Sequence, residues 1–364
     1  MWKSKKIIYY TSSLRSGGAE RQLVYTAIEA KKNGYDPVII VDYPGNHFEK
    51  VLKEYSIPFY FTNTTGRNPI KRFHKLMKMT RRERPAIFHS FLSTRNLWGM
   101  FIAMLCRVPL RVASIRGTND ASFSGVKIYS KFCHYIICNS KLAESITVNK
   151  YNVSSNKVRT IYNAIDLSKF NSDISKKKNG KITGIIIASI TKNKNHLSLI
   201  EALIKINKKE KLEDFEFLLV GKKKDDGIYN SIFEDIKKNK LEDKIKFLGV
   251  REDIPEILNN CDFLVVPSFH EGFPNVLMEA MATKTFVIAT KVGGIPELIS
   301  DNSTGFLIPT PSVKDIENII LKYLNANREK INEIVNKAYL RIQEYNWDNI
   351  FKEINSIYAT GKWE

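Results

Sequence analysis

Short apolar runs alternate with helical patterns along this chain, and the alternation runs twice. In the first half Lys6–Thr11, Pro37–Val41, Ile57–Phe61, Ala86–His89, Arg111–Ile115 and Tyr135–Cys138 read as strands. Between them lie helical patterns. Leu23, Val24, Ala27 and Ile28 share one helix face ending near Gly34, and a basic helix runs from Pro69 to about Arg82. Strands separated by helices make βαβ units, which require a parallel sheet with helices on both faces. Near Asn163–Gly180 the pattern lapses into Asn, Asp, Ser, Lys and Gly. It restarts with Thr183–Ser189, Phe215–Val220, Ile245–Leu248, Asp262–Val266, Thr285–Ala289 and Gly305–Ile308, and after Pro311 the chain is helical almost to its end. The expected architecture is α/β: two Rossmann-like, doubly wound parallel-sheet domains facing a central cleft at their strand carboxyl ends, with a C-terminal helical segment. The expected bounds are 1–165 for the first domain, 166–180 for a linker and 181–345 for the second domain. Residues 346–364 are expected to form a helix that packs back on the first.

At 364 residues the chain is too long for one ordinary core and suits two of about 150–190 residues each. The longest apolar run, Leu97–Cys106, falls short of the roughly 20 residues a bilayer span needs and reads as a buried helix. The run Ile7–Tyr10 is too short for a signal-peptide core, so a cytoplasmic protein is expected. Cys106, Cys133, Cys138 and Cys261 form no C-x-x-C pair and read as reduced thiols. The net charge of +19 is unevenly placed: residues 1–170 hold 28 Lys+Arg against 10 Asp+Glu, while the remainder holds 29 against 28. That asymmetry points to an anionic partner of the first half, membrane lipid or nucleic acid. In Lys71–Arg84 a modest apolar stripe of Phe73, Leu76, Met77 and Met79 is set among basic residues, a pattern suited to an anionic membrane surface.

The chemistry concentrates in Pro267–Glu297, PSFHEGFPNVLMEAMATKTFVIATKVGGIPE. A buried strand ends in the loop Ser268–Gly272, and Pro274 sits where a helix begins, which suits its missing N–H. Such a helix aims backbone N–H groups and partial positive charge at a bound diphosphate, and Gly272 lets a ligand approach the backbone closely. Glu279 lies five residues beyond Pro274, roughly 7.5 Å along the axis, so Glu271 and Glu279 can reach opposite sides of a diphosphate. Sugar and ribose hydroxyls are suitable partners for both carboxylates. The bland alternative makes Glu271 a helix cap and Glu279 half of a surface ion pair.

This segment resembles the donor-site signature of glycosyltransferase family 4, and four other stretches fall in that family's order: SGGAER (Ser16–Arg21), YNAID (Tyr162–Asp166), ITKNKNH (Ile190–His196) and VGGIPE (Val292–Glu297). The resemblance implies a GT-B fold and a retaining transfer from a UDP- or GDP-sugar to a lipid-linked or surface-polysaccharide acceptor. By it, Glu271 holds hydroxyls of the transferred sugar, Glu279 holds the ribose, and backbone amides of Phe273, Pro274, Asn275 and Val276 line the sugar and diphosphate. Lys194 neutralises the leaving phosphates, as a fixed cation should where negative charge develops. Gly17 and Gly18 stand at the first strand–helix turn, and His89 ends a strand of the same domain. Acceptor pockets are expected in Asn63–Pro69 and Gly117–Gly125.

Two positions depart from the family pattern. Members carry a second phosphate cation where this chain has Ser189, and often a histidine where it has Arg116. Arg116 could supply the charge missing at Ser189, contact the acceptor, or pair with Asp120. No D-x-D occurs, so metal-independent catalysis without a cofactor is expected. The expected partners are a nucleotide sugar, a glycan or lipid-linked acceptor, and the anionic inner face of a membrane docked through the first domain. Two other readings are weaker. The E-G-F-P-N-V segment disfavours a nucleotide-sugar epimerase, and a nucleic-acid-binding protein would lack any recognised binding motif.

Overall fold

The computed structural model describes residues 5–64, 68–170, 180–210 and 214–359. The expected linker 166–180, the acceptor stretch Asn63–Pro69 and the end of the C-terminal segment lie partly outside them. The chain forms two compact units, one running to Ala164 and resuming at Trp347, the other spanning Ile165–Asn346.

The first unit is built on seven parallel strands, β1 (Lys6–Ser13), β2 (Asp36–Tyr43), β3 (Phe59–Phe61), β4 (Ile87–Phe91), β5 (Leu110–Ile115), β6 (Tyr135–Cys138) and β7 (Val158–Thr160). Their order is β3-β2-β1-β4-β5-β6-β7. All five residues of β4 are buried, the signature of a central parallel strand covered on both faces. Ile8, Tyr10, Val38, Ile40, Phe88 and Ala113 form the heart of this core. The three-residue edge strand β7 was not legible in the hydrophobic pattern, since only Val158 of the three is buried. The helix Trp347–Ala359 closes this unit, with Trp347 stacked on Tyr25 and the Tyr35 hydroxyl donating to Asn355 at 2.7 Å.

The helix Pro69–Glu83 does not use its apolar stripe as expected. Leu76 is fully buried, and Phe73, Met77 and Met79 pack against the unit's core. What remains exposed is mainly polar and basic, Lys71, His74, Lys78, Arg81 and Arg82 with Arg84 just beyond, and one apolar side chain, Ile70, at the helix start. Among the described residues no helix is long and apolar enough to cross a membrane.

The second unit has six parallel strands, β8 (Ile182–Ile187), β9 (Phe215–Val220), β10 (Ile245–Gly249), β11 (Phe263–Val266), β12 (Phe286–Thr290) and β13 (Phe306–Ile308). Their order, β10-β9-β8-β11-β12-β13, repeats the pattern of the first unit without its last strand. Each sheet therefore has one point where strand order reverses, at β1/β4 and at β8/β11. Ligands of doubly wound sheets bind outside the strand carboxyl ends at such points.

Candidate functional site

In the second unit two loops emerge at the β8/β11 reversal point. The loop after β8 turns past Gly221, where a Cβ would stand 2.0 Å from the carbonyl oxygen of Ala188, so only glycine fits. Ser189 lies in this turn and is partly exposed. Ile190 is buried and its N–H donates to the Lys222 carbonyl at 2.9 Å, which pins the loop. A single 3₁₀ turn, Lys192–Lys194, follows, and Asn195 adopts a left-handed conformation (φ 53°) before the helix His196–Glu210. The Asn195 side chain donates to the Pro311 carbonyl at 2.8 Å.

The two loops are stitched together by one side chain. Asn193 Oδ1 accepts from the His270 N–H at 3.0 Å while its Nδ2 donates to the His270 carbonyl at 3.0 Å. The Asn193 carbonyl also accepts from Phe269 N–H at 2.9 Å. The next residue on each loop completes the contact, Lys194 Nζ donating to Glu271 Oε1 at 2.5 Å. The carboxylate is the better buried partner, with 10% of its side chain exposed against 30% for the lysine. Sequence reasoning had selected Lys194 and Glu271 for separate roles; the structure brings them into one ion pair. It had overlooked Asn193, whose only sequence signal was its place beside Lys194.

The helix after the second loop spans Asn275–Ala282 and begins one residue later than expected. Pro274 is its N-cap, with extended ψ of 119° and no side-chain acceptor for the first turn. Glu279 is only 5% exposed, which excludes a surface ion pair. With the shorter helix it sits roughly 6 Å along the axis from Asn275. Gly272 accepts at its carbonyl from Gly294 N–H at 2.8 Å, tying the loop to the Val292–Glu297 turn. Phe273 is buried and stacked on Tyr345, 5.6 Å between centroids, while Asn275 and Val276 are partly exposed. Two buried polar atoms in the loop and helix segments that leave β8 and β11 lack a hydrogen-bond partner among the described residues, Nδ1 of His196 and Oγ of Ser268. Unsatisfied groups of this kind are uncommon and mark sites completed by ligand or water. Burial, aided by the Lys194 charge, pushes the His196 imidazole down to about 4, so it is neutral at physiological pH.

In the first unit Gly17 caps the helix Gly18–Lys32 with ordinary extended torsions, and a Cβ there would meet the flexible end of Glu20. The Gln22 amide grips Ala164 at both backbone groups, Nε2 to O at 2.8 Å and N to Oε1 at 3.0 Å. His89 is a correction to the expected site. It is fully buried, with Nδ1 2.6 Å from the Tyr358 hydroxyl and Nε2 2.8 Å from Ser114 Oγ, so neither nitrogen remains for a substrate. Burial, with the Arg116 charge adding to it, holds its pKa well below the usual histidine value.

Arg116 follows β5 and is partly exposed as a residue, while its guanidinium is enclosed over the Phe91 ring at 4.9 Å. It donates to Asn163 Oδ1 at 3.1 Å and to Ser114 Oγ at 3.4 Å. Asp120, one expected partner, pairs with Lys150 instead at 3.0 Å. Burial lowers the Arg116 pKa to about 10, still fully charged at neutral pH. Among the described residues the hydrogen-bond partners of this cation are an amide and a hydroxyl, with no carboxylate. A cation enclosed without a counter-charge is an unfavourable arrangement that an anionic ligand relieves.

Among the described residues no group of three or more His, Cys, Asp or Glu side chains is placed to hold a metal ion. Residues 16–169 match the model described as Glycosyltransferase Family 4, and residues 168–341 match that described as Glycosyl transferases group 1. The chain is 26% identical over 336 residues to the UDP-Gal:alpha-D-GlcNAc-diphosphoundecaprenol alpha-1,3-galactosyltransferase of Escherichia coli, covering 86% of this chain and 84% of that protein. It is 26% identical over 360 residues, 96% of each chain, to a Campylobacter jejuni alpha-1,4-N-acetyl-D-galactosaminyltransferase whose name specifies a PP-undecaprenol glycan. The crystal structure of Anabaena HepE in complex with UDP and glucose superposes with a TM-score of 0.86 at 20% identity, covering 98% of this chain and 99% of that one.

Proposed function

We propose that this member of glycosyltransferase family 4, matched to its models from residue 16 to residue 341, takes a sugar from a UDP-sugar held by its second unit and delivers it, with retention, to a lipid-linked acceptor. The chain is a sugar-transferring enzyme of GT-B fold. UDP is favoured over GDP because the E. coli relative is named for UDP-Gal and HepE was crystallised with UDP and glucose. A lipid-linked acceptor is favoured because the names of both relatives carry undecaprenol.

The Lys194–Glu271 pair carries this reading. When the bond from the sugar's anomeric carbon to the diphosphate breaks, negative charge grows on the departing phosphate, and a preplaced ammonium stabilises it. Lys194 is already at the strand carboxyl ends, held there by Glu271 until an anion takes its place. Glu271, relieved of the lysine, accepts hydroxyls of the sugar, and buried Glu279 accepts those of the ribose. Lysine and arginine cations do the work of a metal, so EDTA should leave the rate unchanged. Arg116 receives a phosphate of one of the substrates. Hydrolysis of the donor without acceptor separates the two: slower hydrolysis in Arg116→Ala assigns it to the donor, and slowed transfer with intact hydrolysis assigns it to the acceptor.

The first unit carries nearly all the excess positive charge and docks on an anionic membrane face, making a peripheral enzyme. Because Phe73, Leu76, Met77 and Met79 of the helix Pro69–Glu83 belong to the core, this docking is chiefly electrostatic, with Ile70 the one exposed apolar side chain on that helix. Thermal shift tests the donor assignment. UDP at a hundredfold excess over its Kd should stabilise the fold by about 2.7 kcal/mol, and stabilisation by oligonucleotides alone would overturn the assignment.

A further inference from the structure

The helix Trp347–Ala359 buries five apolar side chains and one phenol, Tyr358, against the first unit. A buried hydroxyl is costly unless it is hydrogen-bonded, and Tyr358 is bonded twice. It lies 2.6 Å from His89 Nδ1 and donates to the Tyr9 hydroxyl at 3.3 Å. The chain continues on the other side of the imidazole through Ser114 Oγ to Arg116 Nη2. His89 is also seated against the Phe91 ring that lies beneath the guanidinium, 4.6 Å between centroids.

Counting protons fixes the direction of this chain. Tyr358 gives its single proton to Tyr9, so it accepts at its contact with His89 Nδ1, which therefore carries the one N–H of the neutral imidazole. His89 Nε2 is then an acceptor and takes the Ser114 proton, and Ser114 Oγ accepts from Arg116. Each of the three intermediate groups gives one proton and receives one. On Arg116, two of five N–H groups are used by Asn163 and Ser114, and Nε is buried without a partner. One N–H therefore remains on each terminal nitrogen, a pair suited to bidentate phosphate.

We propose that Tyr358 is a positioning residue for Arg116, acting through His89 and Ser114, which makes the C-terminal helix part of the substrate-binding machinery. This rests on the reading of Arg116 as a phosphate cation. Tyr358→Phe removes only the hydroxyl. Inorganic pyrophosphate is titrated calorimetrically into wild type, Tyr358→Phe, Arg116→Ala and the double variant, and the tautomer of His89 is read from imidazole ¹⁵N shifts. Tyr358→Phe should weaken pyrophosphate about tenfold in wild type and have no effect in the Arg116→Ala background. The Nδ1–H tautomer should dominate in wild type and give way to a mixture in Tyr358→Phe. Ser114→Ala, at the other end of the chain, should repeat the pattern if the phenol variant folds poorly. Equal losses in both backgrounds, or none, overturn the positioning role and leave Arg116's own role standing. Pyrophosphate affinity unchanged by Arg116→Ala defeats the phosphate reading and this inference with it.

Discussion

Glu271 and Lys194 hold one another, so neither residue can be altered without changing the other's freedom. On the proposed reading Glu271→Ala removes a sugar contact that tightens as the anomeric centre flattens, and kcat should fall. The same change releases Lys194, so UDP alone should bind at least as tightly as to wild type, an outcome readable by calorimetry. Glu279→Ala should instead raise the donor KM if Glu279 holds the ribose as proposed, since such a contact stabilises ground and transition states alike. Each loss should be on the order of 1.5–3 kcal/mol, the scale for a charged hydrogen bond, and wild-type UDP affinity in Glu279→Ala would defeat the ribose assignment. Asn193→Ala should cost about 0.5–1.5 kcal/mol of stability, since water can reach both exposed backbone groups of His270, and should lower kcat because Glu271 follows directly. Lys194, Glu271 and Glu279 could be singled out from the sequence because they belong to local motifs, and the structure pairs the first two and buries the third. Asn193 was not, because its partner is 77 residues away and an asparagine in a loop announces nothing about what it will grip. His89 misled for the opposite reason: a strand-end histidine looks available until a tyrosine 269 residues later is found on its ring.

Most strands were legible element by element, because buried parallel strands are continuous apolar runs too short for helices and rich in β-branched and aromatic residues. The three residues of β7 were too few to carry a period. The helix Pro69–Glu83 was placed correctly but its apolar face was assigned to the wrong surroundings, since a stripe next to lipid and a stripe next to a core have the same spacing. Its exposed charges supply the test. Reversing Lys71, Lys78 and Arg81 together should reduce sedimentation with anionic vesicles and leave UDP affinity intact. Wild-type binding should fade as salt shortens the Debye length below about 10 Å. Equal binding to neutral and anionic vesicles would count against electrostatic docking.

For the molecule as a whole, two buried neutral histidines link folding to pH. His196 in the fold titrates at about 4, and His89 lies well below its usual value, whereas both titrate near 6.5 in the unfolded chain. Below 6.5 the unfolded state binds the extra protons, so stability is full above that pH and falls as the solution is acidified toward 4. Each histidine should contribute a loss of about 1.4 kcal/mol per pH unit, seen as a drop in the urea midpoint between pH 7.5 and pH 5. His196→Gln should flatten that dependence; a midpoint unchanged on acidification would show that neither ring is held neutral.

The first unit is assembled from two separated lengths of chain, and this orders events during synthesis. The second unit, Ile165–Asn346, is contiguous and has every part it needs as soon as it has emerged. The first unit emerges earlier yet must wait for Trp347–Ala359, because the phenol that completes the His89 network is encoded 269 residues downstream. At about 5–20 residues per second that wait is roughly ten seconds to a minute. Throughout it, the apolar groove that receives the last helix is open on a nascent chain. Until that helix arrives, the nascent chain carries a finished second unit attached to an unfinished first unit, and that species is the one a chaperone has most reason to hold.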